Sequence, residues 1–446
     1  MKTLKTLSTL LILNFLIAQA QVMPDYSGPL FPANHALNMP IDSLPVHPNS
    51  DNYINTIGKD VAIHPDFGTY YEGKPIGIPY NLVGVSQFFA PIVFEYESDP
   101  GPYPIPSDPL IEGLNNYTED LDGDRHLIVI DTINFKLYET WYTWPPGHSM
   151  SEPNNWETFP PSNPSAWWAG SDAIFDLTSN RLRPDGWTSA DAAGLPIFPL
   201  LIRYDEVERA LKSDSVIHHA IRFTVQKTQK AYVWPARHYA SNSTDTNRPP
   251  MGLRFRLKSN FDISGFSPRM QVILRTMKRY GLILADNGSN WFFQGTHDDR
   301  WNDEELSTLK RVYGKDFEAV DITPWTIRSG FDPSSAEVPG ESNSPVELPN
   351  FDLIYEYKLY QNYPNPFNST TQIKFSVPNK SKVTLKIYNI LGQNVKTLID
   401  KVLEPNQYTV NWNGRDENNN ICGSGLYFYC LEGDGFKEIK KMVLIK

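Results

Sequence analysis

The 446-residue sequence predicts a mainly β protein, with one large β-rich domain that has few helices and a small C-terminal β-sandwich. Short segments in which every second side chain is apolar recur along the chain, and this two-residue period is that of a strand. The 37 Pro and 27 Gly residues divide these segments at short intervals, as turns do. Only three stretches combine the helical period with caps, so helices should be few.

The N-terminus has the pattern of a cleaved signal peptide. Lys2 and Lys5 precede an apolar core at residues 10–17, and Ala18 and Ala20 form a small-residue cleavage site. An apolar core of this length is shorter than the roughly 20 residues that a membrane-spanning helix needs. We therefore expect residues 1–20 to be removed, and no later segment is apolar enough to span a bilayer.

The elements of the large domain are predicted in order along residues 21–331. Residues 21–120 are rich in Pro, Gly, Asn and Asp, which predicts an irregular segment wrapped on the domain. The alternation at residues 126–142 predicts a hairpin. Further strands are expected at residues 219–225, 231–234, 253–257, 282–285 and 290–294.

Three helices are expected. One begins after Ser267, which can cap it ahead of Pro268, and ends at Gly281. A second begins at Asn302 and ends before Gly314, and a shorter one covers residues 203–211.

Charge and composition separate a C-terminal domain at residues 351–446 from the large domain. Residues 332–350 have the Pro- and Ser-rich composition of a linker. Residues 357–446 hold 12 Lys and Arg against 7 Asp and Glu, a net of +5, whereas residues 21–356 hold 26 against 44, a net of −18. An acidic large domain argues against nucleic acid as a partner, because phosphates need basic patches.

The two cysteines lie in the C-terminal domain and restrict the chemistry of the large one. Cys422 and Cys430 flank the sequence GSGLYFY, and their pairing is left open. The large domain can hold no disulfide, no cysteine nucleophile and no thiolate metal site.

The C-terminal segment resembles a known export module. YKLYQNYPNPFNSTTQIKFSVPN is followed by VTLKIYNILGQNV, YTVNWNGRDENNN and a final SGLYFYCLEGDGFKEIKKMVLIK. Together they resemble the C-terminal sorting domain of proteins exported by the type IX secretion system of Bacteroidetes-type bacteria. The resemblance implies an immunoglobulin-like sandwich and recognition of residues 357–446 by the outer-membrane translocon. It also implies transit through the periplasm to a secreted or outer-membrane surface location, with the tail then removed or attached to surface polysaccharide.

The central region supplies candidate catalytic residues. Asp191, His219, Arg237, His238 and Asp286 follow or precede predicted strands and turns in segments that resemble an uncharacterised group of secreted bacterial and fungal proteins. A carboxylate with a histidine can act as acid and base, and an arginine can neutralise a uronate or a developing anion. The structural alternative is that Asp191 caps a helix, His219 lies in a strand, and Arg237 pairs with Asp286.

Tryptophans are the candidate ligand-binding residues, because sugar rings stack on aromatic planes and ten of the eleven tryptophans lie between residues 141 and 325. The alternative is core packing. The candidates are Trp167, Trp168, Trp187, Trp234 and Trp291.

Two further patterns are weaker. Arg254, Arg256 and Lys258 share one face of a predicted strand and could bind an anionic polysaccharide or form surface ion pairs. The carboxylates at residues 119–124 lack the Gly that an EF-hand needs at its sixth position, where Arg125 stands. No metal site is predicted, and no cofactor can be assigned.

Two functional hypotheses follow for the large domain. The first is a carbohydrate-active enzyme, either a hydrolase or a lyase, that acts on an extracellular polysaccharide. The second is a non-catalytic glycan-binding or surface-structural protein, which would bind a glycan without turnover.

Overall fold

The computed structural model describes residues 30–84, 89–113, 123–132, 134–146, 166–341, 357–377, 381–403, 406–418, 420–433 and 435–445. The chain divides into a first unit, residues 1–346, and a second unit, residues 347–446. Strands outnumber helices in both, which confirms the mainly β prediction. The predicted signal peptide and residues 342–350 of the predicted linker lie outside the described residues.

The main sheet of the first unit has six strands in the order β1-β13-β10-β12-β11-β14. It is mixed, because β1 and β13 pair in parallel, as do β10 and β12, while the other neighbours are antiparallel. Its strands are β1 (His64–Asp66), β10 (Ile221–Val225), β11 (Arg254–Leu257), β12 (Leu282–Asn287), β13 (Phe292–Gln294) and β14 (Phe317–Val320).

A second sheet of the first unit has four strands in the order β4-β6-β7-β9. Its central pair is the predicted hairpin, with the turn between Asp131 and Lys136. The strands are β4 (Asn81–Val83), β6 (Leu127–Asp131), β7 (Lys136–Trp141) and β9 (Ser171–Asp176). Two further pairs are β2 (Tyr70–Tyr71) with β3 (Lys74–Pro75), and β5 (Ile92–Phe94) with β8 (Trp167–Ala169).

The helices of the first unit are α1 (Ser50–Ile57), α2 (Tyr204–Lys212), α3 (Pro268–Arg279), α4 (Asp303–Ser307) and α5 (Thr323–Thr326). The cap predicted for α3 is present, since the Ser267 side chain accepts a hydrogen bond from the Met270 amide. Asn302 caps α4 in the same way, but α4 ends at Ser307 and continues only as a 3₁₀ turn, well short of Gly314.

Two sequence expectations for the first unit are wrong. Residues 231–234 form no strand but a single bridge between Tyr232 and Met251, because the facing Pro249 and Pro250 have no N–H groups for a ladder. The described part of residues 21–120 is not a wrapping layer alone, since it supplies β1 and β4 to the two sheets and α1 to the core.

The arginines of the basic face expected on β11 are engaged in contacts within the first unit. Arg254 is buried and donates to the carbonyl oxygens of Ala36 and Tyr280, and burial lowers the pKa of Arg254 to about 9. Arg256 pairs with Glu318 at 2.7 Å and also donates to three backbone carbonyls. These arginines tie backbone segments together and do not form an open polysaccharide face.

The end of the first unit is tied to its beginning. The amide of Ala36 donates to the carbonyl of Ala336, and the amide of Val338 donates to the carbonyl of Asn34, at 2.8 and 2.9 Å. Ala336 and Val338 are fully buried. The prediction that a linker begins at Asp332 is therefore wrong for residues 332–341, which form a closing segment of the first unit.

The second unit is a two-sheet sandwich of the expected immunoglobulin-like type. One sheet has the order β15-β16-β19 and the other β18-β17-β20-β21. In β17 the alternate residues Val383, Leu385 and Ile387 are fully buried and form part of the sandwich core. The strands are β15 (Lys358–Leu359), β16 (Thr371–Val377), β17 (Ser381–Tyr388), β18 (Asn394–Leu403), β19 (Asn406–Trp412), β20 (Gly425–Gly433) and β21 (Phe436–Leu444).

The sequence left open whether the two cysteines pair, and in the structure neither belongs to a disulfide. Cys430 is buried in β20 and Cys422 is half-buried ahead of that strand. Burial raises the pKa of the Cys430 thiol, which favours the unreactive protonated form.

Candidate functional site: an acidic cleft in the first unit

A cleft of about 530 Å³ opens where the ends of β7 and β12 approach two loops. The loops are residues 188–192 and residues 238–240, and a third contribution comes from residues 96–97. A cleft of this size can hold a small ligand or a short piece of a polymer. Its charged, amide and large aromatic lining residues are Tyr96, Glu97, Asp124, Trp141, Asp191, His238, Asp286 and Asn287.

A buried arginine binds the two carboxylates at the base of the cleft. Arg222 lies in β10, next to β12, and its side chain is 1% exposed. Its Nε lies 2.7 Å from Asp191 Oδ2, and its Nη2 lies 3.0 Å from Asp191 Oδ1 and 3.4 Å from Asp286 Oδ2. Burial opposes the charge of Arg222, but the attraction of Asp191 and Asp286 prevails and raises the pKa of the guanidinium.

Asp286 is the carboxyl group with the perturbed acidity. Burial, followed by the negative charge of Asp191, raises the pKa of Asp286 to about 7, although Arg222 acts in the opposite direction. The side chain is still 23% exposed, and its Oδ1 accepts a hydrogen bond of 2.6 Å from the Asn287 amide. Near neutral pH this carboxyl group is therefore divided between its acid and base forms.

The loop that carries Asp191 is held by its own hydrogen bonds and by β12. Ser189 Oγ accepts from the Asp191 amide and donates to the Leu195 carbonyl, at 2.9 and 2.7 Å. Gly194 has φ +70°, and a Cβ there would lie 2.6 Å from the Trp187 carbonyl oxygen, so a glycine is required. These contacts fix Asp191 over Arg222, and the predicted alternative in which Asp191 caps a helix is wrong.

His238 lines the cleft with a defined tautomer. Its Nδ1 lies 3.0 Å from the Ala192 carbonyl oxygen, which can only accept, so Nδ1 carries the proton. The Nε2 of the neutral ring then holds the lone pair. The ring stacks on Tyr239 with 5.3 Å between centroids and an interplanar angle of 7°.

Trp141, at the end of β7, provides the large aromatic wall. A Cβ at Gly170 would lie 2.4 Å from the Trp141 ring, so the absence of a side chain there lets the indole pack against the backbone between β8 and β9. The Tyr96 ring lies 6.5 Å from it at the exposed rim. The cleft thus combines aromatic surface with carboxylates.

The structure brings together three of the five predicted catalytic residues. Asp191, His238 and Asp286 line the cleft, whereas His219 and Arg237 do not. His219 is fully buried with Nε2 at 3.2 Å from Glu206 Oε1. His219 and Arg237 therefore have structural partners outside the cleft.

Arg237 ties two segments of the first unit together. Its guanidinium donates to the carbonyl oxygens of Arg183 and Pro333, at 2.9 and 2.8 Å. The predicted alternative that Arg237 pairs with Asp286 is wrong, because the partner of Asp286 is Arg222.

The five predicted ligand-binding tryptophans lie outside the cleft lining. Trp291 is fully buried among aromatic rings and Trp168 is 5% exposed, so neither presents a free face to a ligand. Trp167, Trp187 and Trp234 are half-buried at other places in the first unit. The tryptophan that lines the cleft is Trp141, which was not among the five candidates.

Six polar or aromatic residues of the cleft and its base were not among the candidates: Tyr96, Glu97, Asp124, Trp141, Arg222 and Asn287. Arg222 could have been noticed as a single charge inside the apolar stretch AIRFTV, which is unusual unless it has a buried partner. Asp124 belongs to the carboxylate run at residues 119–124 that was weighed only as a calcium site, and Glu97 lies in a loop with no distinctive pattern. Within the described ranges, no group of three or more His, Cys, Asp or Glu side chains is placed to hold a metal ion.

Fold and cleft together define a class: a β-rich protein whose first unit carries an acidic cleft and whose second unit is an immunoglobulin-like sandwich. Residues 361–446 match the family described as the secretion system C-terminal sorting domain. This match confirms the export module expected from the sequence, and the chain is exported by the type IX secretion system as a secreted or cell-surface protein.

Likeness to solved structures is limited to parts of this chain. Latent PorU from Porphyromonas gingivalis is 16% identical with a TM-score of 0.18, over 20% of this chain and 9% of that one. PorZ, a surface component of the type IX secretion system of the same bacterium, is 15% identical with a TM-score of 0.16, over 30% and 15%. The first immunoglobulin domain of mouse SynCAM 2 is 14% identical with a TM-score of 0.12, over 17% and 80%.

This chain thus spans less than a sixth of PorU and of PorZ. No curated protein matches the chain. Among the helices in the described part, none has the length and apolar character needed to cross a membrane.

Proposed function

We propose that the first unit is an exported glycan hydrolase and that the cleft is its active site. The observation that carries the proposal is Asp286, a carboxyl group with a pKa of about 7 in an open cleft beside Trp141. A carboxylic acid that keeps its proton near neutral pH can donate it to a glycosidic oxygen. An aromatic wall can hold the sugar ring against that acid.

In this mechanism Asp286 is the general acid and Asp124 activates the attacking water. Glycoside hydrolysis commonly uses such a pair of carboxyl groups, one protonated and one ionised. Asp124 lines the same cleft, is exposed, and is close enough for its charge to raise the pKa of Asp286. Arg222 and Asp191 act as positioning residues, because their ion pair fixes the surroundings of the Asp286 carboxyl group.

The charge of the cleft favours a hydrolase over a uronate lyase. A lyase must neutralise the substrate carboxylate, for which a free cation is needed. The one arginine at the base of this cleft is already bound by Asp191 at two positions. The cleft instead adds the negative charges of Glu97 and Asp124.

Incubation of the purified first unit with a panel of neutral, amino and acidic oligosaccharides tests the proposal. We expect cleavage of at least one glycan, and a loss of about 10²- to 10⁴-fold in kcat/KM for Asp286→Asn and for Asp124→Asn. Asp108→Asn, an exposed aspartate outside the cleft lining, is the matched control and should keep full activity.

Two outcomes would contradict the mechanism. Full activity of the Asp286→Asn variant would show that Asp286 is not the acid. Full activity of the Asp124→Asn variant together with loss of activity in the His238→Gln variant would assign the role of base to His238. Binding of a glycan without any cleavage would favour the alternative, a glycan-binding or surface-structural protein.

We also propose that the tail at residues 357–446 is the part that the translocon recognises, followed by its removal or its attachment to surface polysaccharide. The sandwich of the second unit is a separate compact unit, which suits recognition independent of the exported domain. The size of the mature protein in culture medium and in the surface fraction, measured by mass spectrometry, distinguishes removal from attachment.

A further inference from the structure

The charge of the cleft is one-sided. Its described lining holds four carboxyl groups, those of Glu97, Asp124, Asp191 and Asp286, and neither lysine nor arginine. The buried Arg222 beneath them cancels about one negative charge, because it is bound in a bidentate pair by Asp191. The remaining carboxyl groups leave the cleft with an excess of negative charge.

This excess is concentrated at the mouth, where a ligand enters. Glu97 and Asp124 are both exposed, and in the part of the chain that the structure describes neither belongs to an ion pair. A carboxylate that no lysine or arginine neutralises attracts cations and repels anions, and the low-dielectric walls of a cleft strengthen that effect.

We propose that the cleft takes a glycan built of amino sugars with free, positively charged amino groups. This inference rests on the proposed function and names the substrate class of the same site. Each free amino group is an ammonium with up to three donors, and the carboxylates of Glu97 and Asp124 are acceptors only. The apolar face of the same sugar can pack on Trp141.

The preference is tested by isothermal titration calorimetry of the full mature chain at pH 6 with four oligosaccharides of equal length. These are β-1,4-linked tetramers of glucosamine, N-acetylglucosamine and glucose, and a tetramer of galacturonic acid. We expect the glucosamine tetramer to bind at least about tenfold more tightly than the neutral tetramers, and the galacturonic acid tetramer to bind weakest.

Glu97→Gln provides the matched variant, because Glu97 has no role in the proposed chemistry. It should weaken glucosamine tetramer binding about three- to tenfold and leave the neutral tetramers unchanged. Asp108→Asn should change neither the affinity for the glucosamine tetramer nor that for the neutral tetramers. Addition of 0.5 M NaCl should reduce the preference for the glucosamine tetramer, because salt screens the charges.

The results separate this inference from the proposed function. Equal or tighter binding of a neutral or acidic tetramer, or an unaltered affinity in Glu97→Gln, overturns the amino-sugar assignment even if that glycan is cleaved. Glucosamine tetramer binding with the expected preference but without cleavage supports the assignment and overturns the hydrolase.

Discussion

Removal of the buried cation beneath the cleft should destabilise the first unit strongly. The change is Arg222→Met, which keeps much of the volume and removes the charge. Asp191 would lose both hydrogen bonds of its bidentate pair while its side chain stays 0% exposed, and Asp286 would lose its 3.4 Å contact. Breaking a buried ion pair in this way costs about 3–5 kcal/mol, because an uncompensated charge is left behind.

The loss of free energy of unfolding can be converted into an expected decrease in melting temperature. The first unit is larger than 300 residues, and with an unfolding entropy of about 2.1 cal/mol/K per residue 1 kcal/mol corresponds to roughly 1.5 °C. Arg222→Met should therefore lower the Tm of the first unit by about 4–8 °C in circular dichroism melts, and urea unfolding of the purified chain should show the loss of free energy. The control is Arg248→Met, since Arg248 is 30% exposed and lies 3.6 Å from Asp245, and it should cost less than about 1 kcal/mol.

A second variant separates the lost charge pair from poor packing. The double variant Arg222→Met with Asp191→Leu removes the orphaned carboxylate together with the cation, and it should regain at least about half of the lost free energy of unfolding. A loss below about 1 kcal/mol in Arg222→Met would refute the reasoning. A double variant less stable than Arg222→Met alone would refute it as well, because the penalty would then come from packing.

Three other predictions concern acidity and export. Because the pKa of Asp286 is raised from 3.8 to about 7 by folding, its contribution to stability is present below pH 4 and is lost as the pH rises through 7. Asp286→Asn should therefore gain stability relative to the unmodified protein between about pH 4 and 7 in urea titrations, and a constant difference would contradict this. Burial lowers the pKa of His126, but the charge and hydrogen bond of Glu112 outweigh it and raise the pKa to about 9. Glu112→Gln should thus destabilise the protein most below pH 6.5 and progressively less as the pH passes 9, again by urea unfolding. Deletion of residues 357–446 should leave the first unit in the periplasm with a cooperative melting transition, and its normal appearance outside the cell by immunoblot would contradict the assignment of the tail.

Elements that depend on neighbouring residues were predictable from the sequence. The hairpin of β6 and β7 follows from two-residue alternation, and α3 follows from Ser267 and Pro268 at its start. The sandwich strands of the second unit were predictable for the same reason, as in β17. In each case the determinant lies within one element.

The centre of the cleft was only half predictable, because its determinant is a contact between distant residues. Asp191 and Asp286 could be selected as carboxylates near turns, but their partner Arg222 lies 31 and 64 positions away in sequence. Periodicity says nothing about such pairs. The predicted role of Arg237 went wrong for the same reason, since an arginine beside predicted turns can equally well tie backbone carbonyls together.

Aromatic residues show the same limit. Trp291 and Trp141 both stand at strand ends in the sequence, yet one is fully buried and the other lines the cleft. Local hydrophobicity does not distinguish a tryptophan that packs from one that faces a ligand. The deciding feature is the short link between β8 and β9, where Gly170 leaves room for the Trp141 ring.

The closing segment at residues 332–341 sets an order of events for an exported protein. The amide of Ala36 and the carbonyl of Asn34 pair with residues 336 and 338, so these two hydrogen bonds can form only when nearly all of the unit is present. A chain delivered from its N-terminus would therefore lack this closure until residues 336–338 arrive. The same arrangement makes residue 341 a boundary for proteolysis. Cleavage on its C-terminal side leaves the hydrogen bonds between residues 34–36 and 336–338 in place, whereas removal of residues 336–341 would release both ends of the unit.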